Sequence, residues 1–145
     1  MRATAIMGLV RRLLTHEAAG GQEQEALIEA TERASDKLRA HLSKRIGQEG
    51  FRTLLARALT LTTTNFPHLS AVRVGADGSL VGLRGAMSRV QETQGATVEG
   101  AVALVAQFLA LLISFIGEDL TLRLLSAVWS ELALDEATGG ENERL

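Results

Sequence analysis

The chain has 145 residues, with no cysteine, one proline and only 3% aromatic residues. Without cysteine there is no disulfide framework, no thiolate nucleophile and no cysteine-based zinc site. The three histidines, His16, His41 and His68, lie far apart and lack the close pairings of a metal site. The sequence also lacks a glycine-rich phosphate loop followed by lysine, and it has no GxSxG nucleophile motif. These absences direct the reading toward a non-enzymatic protein with no cofactor and no metal. With so few aromatics, the core must be built from Leu, Val, Ile and Ala, which favours helices packed closely through small side chains.

What is present is an unusual apolar load. Hydrophobic residues make up 46% of the chain, and the mean hydropathy is +0.14. A chain of this length has the size of one domain and can bury one core without staples. Part of the remaining apolar surface is expected to meet another chain. Residues 1–58 hold ten Lys/Arg and seven Asp/Glu, whereas residues 59–145 hold five and ten. The halves therefore carry +3 and −5, and can attract each other within one molecule or between two.

Periodicity predicts a series of helices. Ile6, Leu9, Val10, Leu13 and Leu14 mark one face of a basic amphipathic helix over Thr4–Thr15. Such a helix docks on its own bundle or on a partner, or lies on a membrane surface. Leu27, Ala30, Ala34, Leu38, Leu42 and Ile46 mark a second helix over Gln22–Ile46, with acids early and bases late to complement its dipole. Gly47 is a natural stop, and the short Gly47–Gly50 reversal places the following helix, Phe51–Thr62, antiparallel beside it. That helix must end near Asn65 or Phe66, because Pro67 disfavours helix in the residue before it.

Residues 71–83 read as a short β-hairpin around the four-residue turn Gly75-Ala76-Asp77-Gly78; a loop leading into a helix with Leu83, Met87 and Val90 is the alternative. Gly95 reads as a break, with Thr97 as a cap for the next helix. Ala101–Ile116 is almost wholly apolar and is expected to be a central helix buried on all sides. At about 24 Å it is shorter than a hydrocarbon core of about 30 Å. Gln107 interrupts it and acids flank it, so the membrane reading is weighed below the core reading. Gly117 breaks the run, and Glu118 and Asp119 begin a last helix with Leu120, Leu124, Val128 and Leu132 as its stripe. Residues 1–134 are expected to form the helical domain, and 135–145 a disordered acidic tail.

The fold class that follows is mainly α: a single-domain bundle of five or six helices, with one short hairpin near 71–83. The functional reading is an interaction or regulatory module acting as a cytoplasmic homodimer, with a further protein partner of unknown identity. Ile6, Leu9 and Leu13 on the N-terminal helix, and Leu124, Val128 and Trp129 on the last one, are the candidate interface; tryptophan is enriched among residues that dominate interface energies. Two alternatives come from other classes. One is membrane association. The other starts from Ala40-His41-Leu42-Ser43-Lys44, which resembles a histidine-phosphotransfer domain. The resemblance implies His41 as phosphoacceptor and Lys44 as the residue holding the charge, although Arg45 stands where that family has a small glycine. Arg33, Lys37, His41 and Arg45, spaced by four, with Arg52 and Arg57, raise nucleic-acid binding. The expected Glu29–Arg33 pair and the pI near 5.9 favour a salt-laced solvated face instead. Thr60–Asn65 is threonine-rich with no chemical reading.

Overall fold

The computed structural model describes residues 2–19, 24–88 and 94–130. The expected tail, together with Leu132 and Val90, lies outside the described residues. The mainly helical expectation holds, with five α-helices and one small hairpin among the described residues. Helix α1 is Ala3–Glu17, α2 is Gln24–Thr63, α3 is Leu83–Ser88, α4 is Gln94–Ile116 and α5 is Glu118–Val128. A 3-10 turn, Pro67–Ala71, leads from α2 to the hairpin strands β1 (Arg73–Val74) and β2 (Leu80–Val81).

Helix α2 is two arms joined at Gly47, which adopts φ 82° and ψ 161°. This left-handed φ suits glycine, which has no Cβ to clash. Ser35, Leu38, Phe51 and Leu55 line one void of about 20 Å³ against α4. In a straight helix Ser35 and Leu55 would stand about 30 Å apart. The arms therefore fold back on each other, as the short Gly47–Gly50 reversal requires.

Helix α4 packs on α1, α2 and α5. Its buried residues Ala101, Val102, Leu104, Val105, Phe108, Leu109 and Leu112 form the centre of the core. Phe51 of α2 meets Phe108 at 5.4 Å between ring centroids, inside the range where tilted aromatic pairs attract. Two sequence expectations for this helix need correction. Gly95 and Thr97 lie inside α4, which begins at Gln94, so Gly95 is not a break. Nor is α4 buried all round: Ala103, Gln107, Ala110 and Leu111 are half-buried, while Ser114 and Phe115 are exposed. Three neighbouring helices cover most of a cylinder but leave one stripe to solvent.

The α4–α5 junction follows the sequence closely. Gly117 takes φ 95° and ψ 159°. Its N–H donates to the Ile113 carbonyl at 2.8 Å, and its carbonyl accepts from Thr121 N–H at 3.2 Å. Glu118 and Asp119 then occupy the positive end of α5.

The hairpin pairs Arg73 with Val81 and Val74 with Leu80. Its loop spans five residues, 75–79, one more than the turn motif suggested, because Ser79 takes part in closing it. The Ser79 carbonyl accepts from Gly75 N–H, while Asp77 Oδ1 accepts from the Ser79 amide and hydroxyl at 3.0 and 2.6 Å. A two-stranded unit is marginal alone. Here Gln48 and Arg52 of α2 donate side-chain hydrogen bonds to the carbonyls of Ala76 and Gly75, both at 3.1 Å.

Candidate interaction surface

The six residues expected to face a second chain are mostly core. Ile6, Leu9, Leu13, Leu124 and Trp129 are buried, and Val128 is half-buried. Helix α1 is docked against α2 and α4, so its apolar face is covered by its own chain rather than held out for a partner. Trp129 is 0% exposed.

Trp129 is fixed by a group that periodicity did not reveal. Its indole Nε1 donates to Glu17 Oε2 at 2.8 Å. Glu17 closes α1, and its side chain is only 4% exposed. The same carboxylate accepts from Arg33 Nε at 3.2 Å and from Lys37 Nζ. Arg33 also donates to the Glu17 carbonyl at 2.5 Å. Burial by itself pushes the carboxyl upward and is the largest influence. The hydrogen bonds from Lys37, Trp129 and Arg33 together outweigh it and leave Glu17 below its ordinary value. A buried carboxylate needs partners of this kind; the cluster joins α1, the first arm of α2 and the end of α5.

That arrangement also decides the basic stripe. Arg33 pairs with Glu17, not with Glu29, and Glu29 instead meets Arg84 at 3.6 Å. Arg33 and Lys37 are thereby committed to the fold. Arg52 pairs with Glu49, and Arg11 binds Glu99 at 2.8 and 3.1 Å. The two chain halves do attract each other through Arg11–Glu99 and Arg39–Asp77, but Arg84 with Glu25 and Glu29 runs in the opposite sense.

His41 and Lys44 are exposed on the outer face of α2. His41 Nδ1 lies 3.0 Å from the Lys37 carbonyl. A carbonyl only accepts, so Nδ1 carries the proton and Nε2 is the basic nitrogen. The threonine-rich segment has a local explanation. The hydroxyls of Thr60, Thr62 and Thr63 each donate to the carbonyl four residues earlier, at 2.6–3.0 Å. This back-bonding occupies the donors within the last turns of α2.

Among the described residues no group of three or more His, Asp or Glu is placed to hold a metal. One described helix, over Glu99–Ile116, is long and apolar enough to cross a membrane by length and composition, and half of that window is buried inside the fold.

The surface that stands out is the outer stripe of α4. Ala103, Gln107, Ala110, Leu111 and Ser114 recur at helical spacing along about 16 Å, and Phe115, on the side of Leu104 and Phe108, is exposed beside the end of this stripe. Phe115 is 63% exposed, against 36% for Leu61 and Val81, the other large exposed apolar residues among those described. Residues 100–117 contain no ionisable side chain. Sequence reading missed this face because fourteen of the sixteen residues of 101–116 are apolar; the two polar ones, Gln107 and Ser114, are seven apart and both lie on it. Comparison with family models, with curated proteins and with solved structures finds no match for this chain.

Proposed function

We propose that the protein is a non-enzymatic interaction module that acts as a homodimer, with the α4 stripe centred on Leu111 and Phe115 as its contact surface. The observation that carries this reading is the exposure of Phe115 in the last turn of α4, beside an uncharged helical stripe. A lone exposed leucine needs no explanation, but a phenylalanine continuous with further apolar surface does. The occupant that fits is a second copy. A two-fold interface sets a patch against itself, so any charge on it meets its like. This stripe carries none. Ala103 and Ala110 allow close approach of two helices, and Gln107 can hydrogen-bond to its own copy.

The absence of cysteine makes the test direct. A single exposed thiol introduced by Ser114→Cys would be the only one in the molecule. A short bismaleimide should join two Ser114→Cys chains efficiently at micromolar concentration. The same reagent should leave Thr60→Cys, on the outer face of α2, largely monomeric. Equal yields from both variants, or none from Ser114→Cys, would overturn this surface as the dimer contact.

A second reading has one specific observation behind it. His41 is exposed, with its Nε2 as the basic nitrogen, which is the form a phosphoacceptor imidazole requires. Acid-labile phosphate on His41, supplied by a phosphorylated receiver domain, would support it; no transfer, or equal transfer to His41→Ala, would refute it.

A further inference from the structure

A groove of about 370 Å³ lies between the second arm of α2 and β1. It is separate from the α4 stripe and plays no part in the proposed dimer. Its apolar lining is Ala56, Leu59 and Val74, and its charged groups are Arg52 and Arg73. No acidic residue lines it among those described. Arg52 is held in place from two directions, by Glu49 and by the Gly75 carbonyl at 3.1 Å. Arg73 is exposed on the strand opposite and has no ion pair among the described residues. The nearby carboxylates already have partners: Glu49 binds Arg52, while Asp77 binds Ser79 and lies 3.9 Å from Arg39. Arg57, one helical position beyond Ala56, is also exposed. With Arg52 balanced by Glu49, the net positive charge at the groove comes from Arg73, with Arg57 close by.

We infer that this groove binds a small phosphate monoester, with the phosphoryl group between Arg52 and Arg73 and an apolar body on Ala56, Leu59 and Val74. Two guanidinium groups on opposite walls suit a phosphoryl group; Arg73 can present a fork of donors, while Arg52, whose Nε and Nη1 are taken by Gly75 and Glu49, offers its Nη2. The volume falls at the lower end of small-molecule sites, which combine an apolar lining with a few placed polar groups. Arg73 contributes charge without a structural role, so it can be removed without disturbing the fold.

Phenyl phosphate, inorganic phosphate and phenol serve as probes in amide-resolved NMR titrations of the full chain. Phenyl phosphate should give saturable shifts confined to the signals of Arg52, Ala56, Leu59, Thr60, Arg73 and Val74. It should bind more tightly than inorganic phosphate, and phenol should not bind. Arg73→Gln should keep the spectrum of the fold and weaken phenyl phosphate about tenfold, the loss of one charge-assisted pair. Shifts spread over arginines across the whole surface would show adventitious anion binding only. That result, no saturable shift, or unchanged affinity in Arg73→Gln would overturn the inference.

Discussion

Leu112 and Phe115 sit one turn apart on α4, in the same largely apolar run, yet one is 0% exposed and the other 63%. The helix meets α1, α2 and α5 along most of its length, and even Ala110 and Leu111 of its outer stripe pack in part against the core, but that cover gives out at its last turn. Composition treats the two residues alike. Positions three apart share a side of the helix; what separates these two is place along it, Leu112 lying where neighbouring elements reach and Phe115 standing in the last turn before Gly117. A hydrophobic stretch therefore reports how much burial a segment can support, and the tertiary arrangement decides how much of that is realised within one chain.

Substitutions at the two positions should differ sharply. Leu112→Asp places an unpaired carboxylate in the core, at a cost of several kcal/mol, comparable with the whole stability of about 5–15 kcal/mol of a small domain. We expect loss of the cooperative thermal transition and of most helical circular dichroism. Phe115→Ser should leave the folded chain intact, with a stability change within about 0.5 kcal/mol once dimer dissociation is allowed for. If Phe115→Ser unfolded the protein, the last turn of α4 would have to be core after all.

An intermediate effect is expected at Glu17. Glu17→Ala leaves the buried Trp129 Nε1 without its acceptor and releases Arg33 and Lys37 to solvent, where both are already about half exposed. The loss should be about 2 kcal/mol, dominated by the orphaned indole, and tryptophan fluorescence should shift as the ring gains water. An unchanged emission spectrum and melting temperature would show that the cluster does not hold the end of α5.

Smaller effects should appear on titration. Glu17 is lowered in the folded state, so its contribution is present above the ordinary value of 4.5 and is lost as pH falls through the folded value. His68 is lowered from 6.5 by burial, and its Nε2 is buried without a hydrogen-bond partner among the described residues. The unfolded chain takes up that proton more readily, so the His68 contribution is present above pH 6.5 and declines as pH falls below it. Melting temperature should therefore begin to drop below that pH, and His68→Gln should flatten this part of the profile. The least effect is expected from His41→Ala, within about 0.5 kcal/mol, because the ring stands in solvent; a larger loss in chemical denaturation would contradict that placement.

Much of the architecture was legible because it is written in local chemistry. The Gly47 and Gly117 breaks, the acids opening α5 and the turn chemistry of 75–79 each act within a few residues. The last turns of α2 end before Pro67 for an equally local reason. The hydrophobic stripes of α1 and α2 gave the correct buried faces, but not what covered them. Trp129 looked like an interface anchor because nothing near it in sequence shows that Glu17, 112 residues away, will accept its N–H. Arg33 likewise had an acid of the right sign four residues upstream and chose one from another helix. The candidate surface on α4 was the least legible. Its only record is the pair Gln107 and Ser114, seven residues apart, which mark the solvent side against fourteen apolar residues in 101–116.

Sedimentation equilibrium across nanomolar to high micromolar concentration, on the native chain and on Phe115→Asp side by side, tests the central claim most directly. The account predicts that the native protein approaches twice its 15.5 kDa mass as concentration rises, while Phe115→Asp stays at the monomer mass with unchanged helical content. A native protein that remains at 15.5 kDa throughout, or a dimer that Phe115→Asp leaves intact, would contradict it.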